Sequence, residues 1–452
     1  MGSADTGPDI RARRLDRETV ERNFADLHPP LSRSEALIEA DRCYFCYDAP
    51  CTTACPTGID IPGFIRKIHS DNVEGSAHTI LRENIMGGMC ARVCPTEVLC
   101  EEACVRNTHE ELPVRIGLLQ RYATDPVIGA GKQLFERAAS TGRRIAVVGA
   151  GPAGLSCAHR LAVLGHDVVV FNRDGKPGGL NEYGIAAYKT VSEFAQHEVD
   201  YILAIGGVEL RNNVRVGEDV TLDELHSDFD AVFLSVGLGD TNTLGIEGEG
   251  LPGVEDAIDY IATLRQAADK TALPVGRRVV VIGGGMTAVD VAVQSKRLGA
   301  EDVTIVYRRG PEAMGASRYE QDLARRNGVA IRHWAQPRSI TGTKHVTGIV
   351  FENTELRDDG ALAATGEWFE LPADVVFKAI GQRLDAEALG LETERGKFVV
   401  GDDMATSVDG IWAGGDCVAA GADLTVTAVQ HGKLAAIAID RRLRTQEGTR
   451  HG

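Results

Sequence analysis

Eight of the ten cysteines fall between Cys43 and Cys104, in two groups that each contain a Cys-Pro pair. The first group reads Cys43-x-x-Cys46-x4-Cys51-x3-Cys55-Pro56, and the second reads Cys90-x3-Cys94-Pro95-x4-Cys100-x3-Cys104. Thiolates this closely set, with proline directly after a ligand, suit two 4Fe–4S clusters. Structural zinc is the alternative, but it takes four-ligand sets with a longer gap between pairs and explains neither Cys-Pro site. Disulfides would need export, and the polar start Met1–Arg14 leads into no apolar signal stretch, so a reducing cytoplasm is expected. Eight cysteines need not all be ligands, and spacing alone would put Cys90 among them.

Two glycine fingerprints add nucleotide chemistry. Gly149-Ala-Gly151-Pro-Ala153-Gly154 follows an apolar run and opens a helical pattern. Its first glycine permits the tight turn, the second admits the pyrophosphate, and the third lets helix and strand pack closely. The second strand of this unit ends at Asn172, where an acid is usual for ribose recognition; Asn172 can still accept a ribose hydrogen bond. Asp416, after a short strand in Gly410–Asp416, can hold a ribityl hydroxyl of FAD, in preference to the alternative of a turn or helix-capping aspartate. With Gly178-Gly179-Leu180 and Lys189, these residues assign FAD to the first site.

The second fingerprint, Gly283-Gly-Gly285-Met-Thr287-Ala288, has alanine in third place, a common nicotinamide-dinucleotide variant. Arg308-Arg309 follows its second strand and suits a 2′-phosphate, or alternatively faces the adenine, the pyrophosphate or solvent. Gly381 is a further expected dinucleotide contact. Cys157 and Cys417 stand outside the cluster region and form no Cys-x-x-Cys pair, which argues against a thioredoxin-reductase type of enzyme.

The elements that position these groups change character along the chain. Residues 1–14 read as a disordered or tag-like leader. Glu18–Phe24 and Ser34–Asp41 read as helices, the latter with Ser34 as N-cap, and Ile61–His69 and Ser76–Glu83 as short amphipathic helices. Arg144–Gly149, a helix Pro152–Leu164 and His166–Phe171 make one βαβ unit; Arg278–Gly283, Met286–Leu298 and Asp302–Tyr307 make a second. Gly342–Gly366 has hairpin composition, and Leu424–Ile439 reads as a helix. The fold class expected is α/β: an N-terminal all-α double-cluster iron–sulfur domain, then two interleaved Rossmann-like nucleotide-binding domains. The domains are placed at 1–140 (clusters), 141–272 with 373–452 (FAD), and 273–372 (NAD(P)).

Composition excludes other classes. At 452 residues, 43% hydrophobic and 25% charged, the chain matches a globular protein of several domains. A formal net charge of −17 disfavours a nucleic-acid partner, and no apolar run approaches the ~18 residues of a membrane span.

These motifs together resemble the electron-input module shared by dihydropyrimidine dehydrogenase and the small subunit of glutamate synthase. The likeness covers Cys43–Cys104, Gly149–Leu155, Gly178–Lys189, Gly283–Arg309 and Ala413–Lys433. Cys55–Ile68, Leu119–Ala123 and Gly178–Lys189 look like the bacterial dihydropyrimidine dehydrogenase branch in particular. The resemblance implies one cluster on Cys43, Cys46, Cys51 and Cys104, and another on Cys55, Cys94, Cys100 and Gln120, leaving Cys90 unligated. Gln120 itself favours the pyrimidine branch, because the glutamate synthase relatives are thought to use a carboxylate there.

For the pyridine nucleotide the resemblance points both ways. Animal dihydropyrimidine dehydrogenase uses NADPH and has a further arginine where this chain has Gly315, and NADPH-using glutamate synthase relatives have paired arginines at Arg318-Tyr319. Bacterial input subunits use NADH with the same Arg308-Arg309 pair, so NADH is expected over NADPH. The implied activity is hydride transfer from NAD(P)H to FAD and relay of single electrons to an FMN-containing partner chain. That partner, expected in a heterotetramer, would reduce uracil or thymine. Glutamate synthase or a related NAD(P)H:acceptor reductase is the alternative. No side chain is expected to act as acid or base.

Overall fold

The structure, a computed structural model, describes residues 14–384 and 389–450; the expected leader, residues 1–13, lies outside them. The chain divides into two compact units. One comprises His28–Glu182, Ser192–Asp240 and Arg383–Gly452, and the other Met1–Leu27, Tyr183–Val191 and Thr241–Gln382. The architecture is the expected α/β one, with a helical N-terminal region and two parallel sheets. No helix among the described residues is long and apolar enough to cross a membrane.

The first unit begins with short helices. Arg33–Asp41 is capped by Ser32 rather than the expected Ser34. Ser32 Oγ accepts the Glu35 N–H at 3.3 Å and Glu35 Oε2 accepts the Ser32 N–H at 2.8 Å. This reciprocal pair needs an acid three residues after the cap, which Ser32 has and Ser34 lacks. Ile61–His69 starts at Asp60, whose Oδ1 accepts the Gly63 N–H at 2.9 Å. Its Ile61, Phe64, Ile65 and Ile68 recur at helical spacing and are buried with Ala36, Ala40, Ile80, Val114, Ile116 and Leu119. Cys43, Cys51, Cys55, Cys100 and Cys104 pack at the edge of this small core.

A five-stranded parallel sheet follows, in the order Ile411–Ala413, Ala231–Leu234, Arg144–Val148, Asp167–Asn172, Val208–Asn212. Along Arg144–Val148 the side chains alternate between two cores: Ile145 and Val147 join one, Ala146 and Val148 the other. This double burial is why the strand reads as a continuous apolar run. Helix Thr425–Arg450 crosses helix Pro152–Val163 so closely that a Cβ on Gly432 would stand 2.1 Å from the Ala153 carbonyl oxygen.

The second unit holds a parallel sheet in the order Val254–Asp256, Val375–Lys378, Arg278–Ile282, Asp302–Tyr307, Ala330–His333. The first two of these strands fall in stretches that the sequence reading gives to the FAD domain; they are too short to carry a periodic signal of their own. An antiparallel meander, Ala335–Gly342, Val346–Leu356 and Leu362–Pro372, extends the hairpin expected from Gly342 on. Helix Arg17–Asn23 also belongs to this unit rather than to the cysteine region. Val20 and Phe24 lie in the core that contains Val279 and Val281, and Asn23 and Arg297 exchange hydrogen bonds at 2.8 Å in both directions.

The helix crossing yields a prediction. Gly432→Ala should lower stability by about 1–3 kcal/mol through overpacking and weaken retention of any nucleotide bound at the Pro152 helix. A melting temperature equal to the parent protein's would contradict the close crossing.

Candidate cofactor sites

The cysteine region contains two cavities. Cys43, Cys46, Cys51 and Cys104 line the first with Tyr44, Ile61, Ile65 and Ile116, around about 370 Å³ of atom-free space that includes open solvent. Cys55, Cys90, Cys94, Cys100 and Gln120 line the second with Asn84, Ile59, Leu99 and Val426, around about 360 Å³ measured in the same way. Every expected cluster ligand therefore faces one of two cavities, and the division between them follows the implied sets. Among the described residues no three His, Cys, Asp or Glu side chains converge on the position of a single metal ion; the thiols line walls instead.

Burial and the neighbouring Cys43 push the Cys51 thiol up to about 12. Cys43 is raised chiefly by burial. Cys94 is raised well above its ordinary value by its hydrogen bond with the Cys90 thiol and by burial, and so is Cys100 through burial. Sulfurs gathered this way hold negative charge only around a cation, so the donor set fits iron–sulfur ligation.

Gln120 is buried, and its Nε2 donates to the Gly87 carbonyl oxygen at 2.6 Å. That bond fixes the flip of the amide and leaves Oε1 as the atom free to act as ligand. Cys90 lines the same cavity, so the packing brings both candidates for the eighth position together. The helix Gly87–Val93, which carries Cys90 and leads into Cys94, has no side-chain cap of its own. Its Gly88 and Met89 N–H groups instead donate to Glu198 Oε1 at 2.8 and 3.1 Å. Glu198 comes from helix Phe194–Leu203, and spacing in sequence gave no hint of it.

In the first fingerprint Gly149 has φ +101°, and a Cβ there would meet the Ser235 carbonyl oxygen at 2.3 Å; a Cβ on Gly154 would stand 1.9 Å from the Gly149 oxygen. Gly151 begins the Pro152 helix without a side-chain cap, so its first N–H groups point outward as a phosphate cradle would need. The Gly178 N–H donates to the Ala150 oxygen at 2.7 Å, and a Cβ on Gly179 would lie 2.8 Å from Gly151 Cα. The two glycine loops therefore lie against each other, with Leu180 partly exposed beside them.

A Cβ on Gly415 would approach the buried Ala153 Cβ to 3.1 Å, which puts the Asp416 turn next to the same loop. The following helix starts only at Thr425, so Asp416 does not cap it. Burial pushes the Asp416 carboxyl up to about 6. His431 Nδ1 accepts the Gly415 N–H at 3.1 Å and fixes this turn, a contact absent from the sequence reading.

Two expected residues are engaged locally. Asn172 Nδ2 points at the carbonyl oxygens of Asp174 (2.9 Å) and Lys176 (3.1 Å) and at Asn212 Oδ1 (2.9 Å), more acceptors than its two hydrogens serve. Lys189, in the second unit, is buried between Asp290 Oδ1 at 2.7 Å and Glu320 Oε1 at 2.8 Å. Burial works against its ammonium, but the two carboxylates outweigh it and hold the charge.

The second fingerprint repeats the geometry. Gly283 has φ +144° with the Ala379 carbonyl oxygen 2.1 Å from where a Cβ would be, and Gly285 opens the helix Met286–Arg297 without a side-chain cap. Thr287 is half-buried in the first turn, and Gly381 adopts φ +87°. The Ala316 N–H donates to the Gly284 oxygen at 2.9 Å, which brings the loop containing Gly315 over the fingerprint. Arg308 is exposed and Arg309 half-buried; neither guanidinium has an ion-pair partner among the described residues. Cys157 and Cys417 are buried, as expected of packed thiols.

The family described as pyridine nucleotide-disulphide oxidoreductase matches residues 143–432. That described as dihydropyrimidine dehydrogenase domain II, 4Fe-4S cluster, matches residues 20–131. The glutamate synthase [NADPH] small chain of Escherichia coli (strain K12) is 36% identical over 440 residues, covering 91% of this chain and 92% of that one. The NAD-dependent dihydropyrimidine dehydrogenase subunit PreT of the same strain is 36% identical over 431 residues, covering 94% and 98%. The chain belongs to this family. It is a flavin- and NAD(P)-dependent oxidoreductase with a 4Fe–4S domain. Among solved structures, Mycobacterium tuberculosis FprA in complex with NADPH superposes with a TM-score of 0.58 at 23% identity, covering 68% of this chain and 86% of that one. At that identity the match speaks for the fold alone.

Glu198 gives a test of how the Gly87–Val93 helix is held. Burial pushes its carboxyl from 4.5 up to about 8. Between those values the folded protein holds a proton that the unfolded chain has lost, so this group makes stability fall as pH rises through that window. Glu198→Gln keeps an acceptor for both N–H groups and removes the titration. Its melting temperature relative to the parent should therefore be higher at pH 8 than at pH 5, by a few degrees. A difference independent of pH would contradict the buried carboxyl.

Proposed function

We propose that this chain is the electron-input subunit of a two-component dihydropyrimidine dehydrogenase. It would take hydride from NADH and deliver single electrons to an FMN-containing partner that reduces uracil or thymine. FAD at the first fingerprint and 4Fe–4S clusters in the two cavities, when bound, supply the conversion of an electron pair into single-electron transfers. The chain's own residues bind and orient. The Gly149–Gly154 and Gly178–Gly179 loops would hold the FAD pyrophosphate, Asp416 a ribityl hydroxyl, and Asn172 Oδ1 the adenine ribose. Gly283, Gly285 and Thr287 would hold the nicotinamide dinucleotide, with Arg308 and Arg309 on its adenosine side. Cys43, Cys46, Cys51 and Cys104 would ligate one cluster, and Cys55, Cys94, Cys100 and Gln120 the other.

The observation that carries the reading is Gln120, whose amide is oriented by Gly87 and lines the second cavity with three thiols of that set. A neutral oxygen ligand in place of a thiolate makes the cluster less negative and so shifts its potential. The second reading, a glutamate synthase small subunit, is favoured by the equal 36% identity to that relative. Co-expression with each type of partner separates the two. NADH-dependent conversion of uracil to dihydrouracil is expected, and turnover of glutamine with 2-oxoglutarate instead would overturn the proposal.

The ligand assignment has its own check. Gln120→Ala should shift the electron paramagnetic resonance signal of one cluster and leave NADH bleaching of the flavin intact, while Cys90→Ser should leave both cluster signals unchanged. The reverse pattern would make Cys90 the eighth ligand.

A further inference from the structure

We propose that Asn84 donates a hydrogen bond to the inorganic core in the second cavity and raises its reduction potential, an inference that rests on reading that cavity as a 4Fe–4S site. Asn84 ends the helix Val73–Glu83 and is fully buried. It lines the second cavity together with Cys55, Cys94, Cys100 and Gln120. The orientation of its amide is fixed from one side, because Oδ1 accepts the Met86 N–H at 3.1 Å. An N–H facing an N–H would repel, so Nδ2 must turn the other way. There it has no hydrogen-bond partner among the described residues.

A buried amide N–H left without an acceptor is unfavourable, because it has given up its hydrogen bond to water for nothing. Of the other wall residues, Pro56, Ile59, Ile61, Leu99 and Val426 offer no side-chain acceptor, and the Thr96 hydroxyl is hydrogen-bonded to the Glu101 carboxylate. Sulfide and thiolate sulfurs are acceptors, and a core bound by Cys55, Cys94 and Cys100 would bring them to this wall. The N–H dipole stabilises negative charge on that core. Reduction by one electron makes the core more negative, so the donor favours the reduced state. Asn84 would then act as a potential-setting residue for one cluster of the two.

The test is an anaerobic redox titration followed by electron paramagnetic resonance, on the full chain with its clusters and on Asn84→Leu, which keeps the volume and removes the donor. At a fixed ambient potential the reduced-to-oxidised ratio of one cluster should fall about five- to tenfold in the variant, the equivalent of about one hydrogen bond. The other cluster and the flavin should titrate as before. Unchanged potentials for both clusters in an iron-replete variant overturn the role of Asn84. A parent protein without two cluster signals overturns the reading beneath it, which keeps the two failures distinct. Should Asn84→Leu not fold, pulsed resonance on parent protein grown with amide-15N asparagine decides the matter: a 15N coupling at one cluster is expected, and its absence overturns the proposal.

Discussion

Sulfur crowded into a partly buried space is the constraint on which the N-terminal region depends. Its apolar core is one thin layer of short helices, and five of its edge residues are cysteines. Burial drives Cys51 up to about 12, and Cys94 and Cys100 are raised well above the ordinary thiol range. Thiolates are therefore strongly disfavoured there unless positive charge sits among them. Small domains with so little core commonly rely on such inorganic staples. Iron would neutralise the crowded sulfurs and close the layer at the same time.

One helix links this region to the first nucleotide fold within a single compact unit. Thr425–Arg450 places Val426 in the wall of the second cavity, and His431 on the turn that carries Asp416. Gly432 sits against Ala153 of the first glycine fingerprint. Lys433 Nζ reaches the Thr57 carbonyl oxygen at 2.9 Å and Glu83 at 3.1 Å, just past the Cys55-Pro56 pair. Four positions within two turns thus touch both the cysteine region and the first glycine fingerprint, and a displacement of this helix would disturb both. Glu198 makes a second connection of the same kind, from helix Phe194–Leu203 to the Gly87–Val93 helix.

Much of the fold and of the candidate sites was legible because the signals were local. Ile61–His69 and Asp302–Tyr307 stand where the sequence pattern puts them, since the first has one buried face and the second buries Val303, Ile305 and Val306. The fingerprints were readable because Gly149, Gly154 and Gly283 sit where any side chain would strike a carbonyl oxygen. What escaped depends on partners distant in sequence. His431, Glu198 and Asn84 carry no motif, and their roles exist only once a remote backbone group or cavity wall comes to meet them. Helix Arg17–Asn23 neighbours the cysteines in sequence, whereas its Val20 and the Phe24 that ends it share a buried core with residues from Ala186 onward. Lys189 is expected from the sequence as a cofactor contact, but its two carboxylate partners, Asp290 and Glu320, lie over a hundred residues away and leave no local signal.

The measurement that bears most directly on the account is the iron, acid-labile sulfide and flavin content of protein prepared without oxygen, followed by addition of NADH. About eight irons and eight sulfides per FAD are expected, as two four-iron clusters require, with flavin and clusters bleaching together. Protein that binds zinc instead of iron, or flavin that bleaches while iron-replete clusters stay oxidised, would contradict it.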